Sequence, residues 1–201
     1  MLRSTRNHAV VFDLEFTAWQ GSMARGWSLP FELKELVQIG AVKLDAETLR
    51  TVDEFAMVVR PRVNPVLSDY LVALTGITND EVANRGVDFA IAYRAFLDFV
   101  GKGASWAFGR DDLILEENMR LYGLVLPPAP YGNVIPWFAQ HGIDLSGGHA
   151  CDVAQAAGAP FEGRKHDALS DARSVALGVV TLIQRGAPNP FLSSSREAVG
   201  R

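Results

Sequence analysis

The sequence holds a single cysteine, Cys151, so no intrachain disulfide can staple the fold, and a reducing compartment suits such a chain. Long apolar runs are also missing. The N-terminal stretch MLRSTRNHAVVFDLEF offers only Ala9 to Phe12 as contiguous apolar residues before acids interrupt. That is too short for a membrane span or a signal-peptide core, so the expectation is a cytoplasmic protein with no membrane partner. Basic excess is absent as well: 19 Lys and Arg stand against 23 Asp and Glu, for a net charge of −4. The chain as a whole therefore lacks the charge signature of a nucleic-acid binder, although bound divalent cations can reverse the sign of the field at one groove. Gly101-Lys102-Gly103 lacks the dinucleotide-binding register and no P-loop string occurs, which argues against a nucleotide-dependent oxidoreductase. His8, His141, His149 and Cys151 do not carry zinc-site spacing. No repeat, heptad or linker divides the chain.

What remains is a chain of 201 residues, 48% hydrophobic, which is enough for one domain with a real core. Residues 1–186 are read as that domain and residues 187–201 as a polar, frayed tail. His8 to Phe16 reads as a buried strand, and Glu35 to Leu44 and Glu54 to Arg60 as two more, joined by a turn at Asp45-Ala46-Glu47 into an antiparallel hairpin. Thr17 to Phe31, rich in Gly, Ser and Trp, reads as a loop on the side of the active site. Pro61 and Pro65 break the chain before a helical region, where Thr78-Asn79-Asp80-Glu81 has the form of a capping box. Asp88 to Gly101 carries Phe89, Tyr93, Phe96, Leu97 and Val100 on one helical stripe. A short strand over Ala104 to Phe108 precedes a helix over Asp111 to Tyr122, and Pro127 to Pro130 form a stiff loop. Short helices are expected around Pro136 to His141 and Asp152 to Ala157. A strong helix over Asp167 to Arg185 turns Ala168, Ala172, Val175, Val179 and Leu182 inward. Strands followed by alternating helices and strands give an α/β fold with a mixed sheet.

Three acidic signals stand out. Side chains alternate along a strand, so Asp13 and Glu15 share a face, with Phe12 and Leu14 on the other. Two carboxylates in an apolar run are costly to keep ionised unless a cation sits with them, and a divalent ion matches hard oxygen ligands. An isolated D-x-E of this kind is more often a pair of solvated acids at a strand end. The second signal is His166-Asp167-Ala168-Leu169-Ser170-Asp171, H-x-x-x-x-D entering a helix. Asp171 lies one turn before Val175 on the stripe that faces the core, and His166 precedes the helix, free to reach over whatever Asp171 binds. First-turn aspartates are otherwise common because of the helix dipole. The third is Gly109-Arg110-Asp111-Asp112, where a strand gives way to a helix and an aspartate is an ordinary N-cap.

Together, and in this order, the three signals resemble the DEDDh branch of the DnaQ-like 3′→5′ exonucleases. The resemblance runs from His8 to about Arg185 and takes in Leu36 to Val42 and Leu74 to Thr78. The opening Phe12-Asp13-Leu14-Glu15-Phe16-Thr17 is most similar to the Eri-type and ribonuclease T-like members. The resemblance implies an RNase H-like mixed five-stranded sheet flanked by helices, with strands 1–3 antiparallel and strands 4 and 5 parallel to strand 1. It implies four metal-site acids, Asp13, Glu15, Asp171 and one aspartate of the Gly109 segment, with His166 as general base and two Mg²⁺ or Mn²⁺ ions as cofactors. Counting from Asp111 places Ile114 and Leu115 at the family's apolar positions and Asn118 a turn later, which favours Asp111 and leaves Asp112 as the alternative. The implied reaction is hydrolysis at the 3′ end of RNA or single-stranded DNA with release of nucleoside 5′-monophosphates. The alternative is a non-catalytic nucleic-acid-binding protein on the same fold. Phe16, Thr17 and Arg164 are the candidate substrate contacts, Phe16 by stacking on a base and Arg164 by meeting phosphate. RNA against DNA stays open, and the sequence allows a homodimer.

Overall fold

The computed structural model describes residues 8–145, 147–160 and 162–193. Three strands open the chain, β1 (His8–Phe16), β2 (Leu36–Asp45) and β3 (Thr51–Val58), with a one-turn helix α1 (Ser22–Arg25) between the first two. Helices α2 (Asp69–Thr75), α3 (Asn79–Arg85) and α4 (Phe89–Val100) follow, then β4 (Ala104–Ala107), α5 (Asp111–Leu121) and β5 (Tyr131–Asn133). The chain closes with α6 (Ile135–Gln140), α7 (Val153–Ala156), the long α8 (Ala168–Gln184) and a last turn, α9 (Pro190–Ser193). The five strands form one sheet in the order β3-β2-β1-β4-β5. β2 pairs antiparallel with β1 and β3, β4 runs parallel to β1, and β5 runs parallel to β4. This is the mixed topology expected from the sequence.

β1 is the central strand and is covered on both faces. Val10, Phe12 and Leu14 enter the layer built with Phe89, Tyr93 and Phe96 of α4, while Ala9 and Val11 pack against Ala172, Val175 and Val179 of α8. The period of two therefore puts Asp13 and Glu15 on the α8 face. Asp13 lies opposite Gly40 of β2, and that glycine is required by packing. A Cβ on Gly40 would stand 2.1 Å from the backbone nitrogen of Leu169 and 2.2 Å from the carbonyl carbon of Ala168. The start of α8 thus lies directly on the sheet.

Gly40→Ala should push that helix start outward, costing about 1–3 kcal/mol by overpacking. It should also lower turnover by about 100-fold, the usual consequence of a displacement near 1 Å at a reacting centre. Urea denaturation and steady-state kinetics on the purified variant check both, and wild-type values for both would show that the close approach is not needed.

Local details follow the physics of the sequence. Ser68 and Thr78 cap α2 and α3 by accepting from the backbone N–H groups of Leu71 and Glu81. Asp45 Oδ1 accepts from the Glu47 and Thr48 N–H groups in the hairpin turn. β3 begins at Thr51, earlier than Glu54, because it is an edge strand whose first residues are exposed and leave little hydrophobic alternation to read. The start of the segment read as a frayed tail is instead anchored. Asn189 donates to the Ala46 carbonyl at 2.8 Å, Pro188 O accepts from the Trp137 indole, and Phe191 is buried against Trp106. Residues 194–201 lie outside the described residues. No helix among the described residues is long and apolar enough to cross a membrane.

Candidate active site

A cavity of about 450 Å³ opens at the end of β1, and Asp13, Glu15, Asp111, His166 and Asp171 all line it. These five come from β1, the start of α5 and the start of α8, separated by up to 158 positions (171 − 13) in the chain. Phe16 lines the cavity too, with its ring 5.6 Å from that of Trp27. The rest of the wall is mostly apolar, supplied by the loop after β1, by Tyr70, Leu71 and Leu74 of α2 and by Phe108, Ile135 and Ala150, with His149 beside His166. Sequence reading did not find the α2 contribution, since α2 has no feature that separates it from any amphipathic helix.

Two devices fix the acids. Asp167 caps α8, its Oδ1 accepting from Ser170 N–H at 2.9 Å and its Oδ2 from the Gln38 side chain at 3.0 Å. Gln38, opposite Glu15 in the sheet, also accepts from Ala168 N–H at 2.9 Å. One buried amide therefore pins the helix start to the strand beside the acids. Asn118 does the same for α5. Its Oδ1 accepts from Leu36 N–H and its Nδ2 donates to the Lys34 and Ile114 carbonyls. The backbone N–H of His166 donates to Asp171 Oδ2 at 3.2 Å, and His166 adopts φ +59°, a left-handed conformation unfavourable for a residue with a Cβ. His166 and Asp171 are thereby tied together, and the edge of one imidazole meets another: the ring centroids of His149 and His166 lie 5.3 Å apart at 74°.

The electrostatics are severe. Burial, then the carboxylates of Asp111, Glu15 and Asp171, raise Asp13 well above the usual carboxylate range. Burial, then Asp171 and Asp111, push Glu15 to about 8. Burial, then Asp112, raises Asp111 to about 8. Burial raises Asp171 to about 7, opposed by the hydrogen bond from His166 N–H. Burial and the neighbouring His149 lower His166 below the ordinary histidine value. Asp111 Oδ2 and Asp171 Oδ1 are buried and have no hydrogen-bond partner among the described residues. Orphaned carboxylate oxygens inside an acidic cluster are what a divalent cation satisfies. Ligand atoms of Glu15, His166 and Asp171 lie within 4.8 Å of one another, so the donor set fits a hard metal ion.

The two middle aspartates are placed differently. Asp111 faces the cavity, whereas Asp112 turns outward into a bidentate ion pair with Arg110 at 2.8–2.9 Å. Two sequence candidates are not brought to the site. Thr17 is buried, its hydroxyl donating to the Leu33 carbonyl and accepting from Glu35 N–H, so it closes the loop and has no polar group left for substrate. Arg164 donates to the Ala73 carbonyl at 3.3 Å and lies over Gly76 at the end of α2, outside the cavity lining.

The comparisons with known proteins agree with this geometry. Human 3′-5′ exoribonuclease 1 is 25% identical over 202 residues, covering 90% of this chain and 53% of that protein. Mouse ERI1 exoribonuclease 2 is 25% identical over 211 residues, covering 92% of this chain and 30% of that protein. The chain thus spans about half, or less, of the length of these curated relatives. Among solved structures, the nuclease domain of 3′hExo, a DEDDh family member bound to rAMP, superposes with a TM-score of 0.78 at 25% identity, covering 92% of this chain and 95% of that one. Cell-death related nuclease 4 superposes with a TM-score of 0.74 at 22% identity, covering 90% of this chain and 65% of that one, and shares the fold. The family model RNase_T, described as exonuclease, matches residues 10–177, from Val10 in β1 past Asp171 in α8. With Asp13, Glu15, Asp111, His166 and Asp171 all inside the matched span, this chain belongs to the RNase_T exonuclease family.

Proposed function

We propose that the chain is a metal-dependent 3′→5′ exonuclease acting on single-stranded nucleic acid, RNA or DNA, one nucleotide at a time. One observation carries the reading: five side chains from three distant segments converge on one cavity, and two of their carboxylate oxygens are buried without partners. The names of the curated relatives add weight to RNA as substrate.

In this reading Asp13, Glu15, Asp111 and Asp171 hold two Mg²⁺ or Mn²⁺ ions. Bound there, the ions lower the pKa of water and offset charge that develops on the scissile phosphate. The chain's own groups do the rest. The apolar wall receives the terminal nucleoside and excludes water. His166, kept neutral near pH 7 by burial, accepts the proton of the attacking water on an imidazole nitrogen. The hydrogen bond from His166 N–H to Asp171 Oδ2 holds the backbone that carries that imidazole beside the acid.

Labelled single-stranded RNA and DNA, each with a free or a blocked 3′ end, test this with Mg²⁺ or Mn²⁺ present. The free strands should shorten stepwise from the 3′ end and release nucleoside 5′-monophosphates, and the blocked strands should survive. A chelator should stop the reaction, and added cation should restore it. Cutting inside a blocked strand would make the protein an endonuclease, and uncut strands in every lane would make it a binding protein.

A further inference from the structure

The cavity is not a closed bowl. Past Phe16 and Asp111 it meets an outer groove of about 370 Å³ whose charged lining includes Lys34, Arg110, Glu117 and Arg120. That groove leads in turn into a hollow of about 470 Å³, which shares Lys34, Glu117 and Arg120 with it and is backed by Trp27. Phe16 lines both the cavity and the groove, and Trp27 lines both the cavity and the hollow. The Phe16–Trp27 pair therefore stands between the cavity and the trough, and Asp111 borders both the cavity and the groove.

The charges along the trough are unequal once pairs are removed. Arg110 is held by Asp112, and the Glu32 carboxylate at the far end is taken by Arg25 and Ser22. Asp111, at the inner end of the groove, belongs to the acidic cluster; beyond it, and apart from the paired Glu32, Lys34 and Arg120 face the one carboxylate of Glu117. Lys34 Nζ stands 4.8 Å above the Trp27 ring, which sets a cation and an aromatic face side by side. A net-acidic chain thus presents a local cationic track that begins at the reacting acids.

We infer that this trough carries the strand on the 5′ side of the scissile bond, with Lys34 and Arg120 meeting its backbone phosphates. The inference rests on the exonuclease reading and adds to it the path of the substrate. Its ligand is a single-stranded polynucleotide. Contacts to phosphate and to aromatic faces favour no base, so cutting should proceed through any sequence.

The test compares wild type with Lys34→Gln/Arg120→Gln on two substrates, an unphosphorylated dinucleotide and a longer oligonucleotide. The dinucleotide's only phosphate is the scissile one, so it cannot reach the track. On the oligonucleotide KM should rise about tenfold, and the log–log salt dependence should flatten by about 1.4, some 0.7 for each lost phosphate contact on a single strand. Dinucleotide turnover should stay at the wild-type rate. Equal losses on both substrates, or none on either, would overturn the track. Fluorescence anisotropy with the labelled oligonucleotide separates the two readings. Wild-type binding that depends on both cations, with no cleavage of either substrate, would keep the track and sink the exonuclease reading.

Discussion

Asp13→Asn is expected to abolish turnover, by at least about 1,000-fold, and at the same time to raise the melting temperature of the chelated protein at pH 8. The first effect follows from the loss of a metal-holding carboxylate. Charge stabilisation by a bound ion is worth several kcal/mol, and each 1.4 kcal/mol or so is a factor of ten in rate. The second follows from crowding. Asp13, Glu15, Asp111 and Asp171 share one buried volume, and burial first, then neighbouring carboxylates, raises all four above their ordinary values, Glu15 and Asp111 to about 8 and Asp171 to about 7; Asp13 and Glu15 are raised by others of the four, Asp111 by Asp112, and Asp171 by Asp167 and Asp152. A carboxyl raised in the folded state binds more protons there than in the unfolded chain. Its favourable contribution is complete below the unfolded value near 4 and is lost as pH climbs through the folded value. The chelated wild-type protein should therefore lose stability steadily between about pH 4 and pH 8, and Mg²⁺ or Mn²⁺ should restore it by mass action. An isosteric amide takes one ionisable carboxyl out of that crowd, so the variant loses less stability on the way to pH 8, and each kcal/mol corresponds to about 2–4 °C in a domain of this length. Calorimetry across that pH range with and without chelator checks the prediction. A chelated Asp13→Asn protein that melts below wild type at pH 8 would mean that the acids are not crowded as described.

The opposed demands of catalysis and stability also explain what could be read from the sequence. Asp13 and Asp171 stood out because a carboxylate on an apolar strand or a core-facing helix stripe contradicts its surroundings, and that contradiction is local in sequence. The residues that aim the acids carry no such signal. Gln38 and Asn118 are single amides within β2 and α5, and their partners lie 129 and 82 positions away. Only the folded register brings Gln38 beside Glu15. β5 was implied by the fold but not located, because three residues after a proline run are too few to show alternation. Thr17 is a candidate substrate contact as the last residue of the Phe12–Thr17 segment on which the family resemblance rests. The strand pairing shifts register between Glu15 and Phe16, however, and the hydroxyl turns to Leu33 and Glu35 instead of the cavity. Arg164 precedes His166 by two positions, yet the left-handed backbone at His166 redirects the chain and the guanidinium ends over α2. In both cases adjacency in sequence was read as adjacency in space where the backbone bends.

His166→Gly is expected to lower kcat by about 100- to 10,000-fold, the range supplied by a positioned proton acceptor, while cation-dependent thermal stabilisation persists. Glycine is the informative replacement. The native φ of +59° at this position is unfavourable for any residue with a Cβ, so the variant removes the imidazole without adding backbone strain and should melt no lower than His166→Ala. The pH dependence carries the sharper test. Burial and His149 hold the imidazole below its ordinary value of about 6.5, and a base must be neutral to accept a proton. The acid limb of the wild-type kcat/KM profile should therefore lie below pH 6.5 or so, with activity rising as pH increases through it. In His166→Gly that limb should vanish, and added imidazole should restore part of the rate, because the cavity left behind still opens beside the acids. A glycine variant that keeps the wild-type acid limb would assign the limb to another group, and the neighbouring His149, whose ring already meets His166 edge-on, would be the first to test.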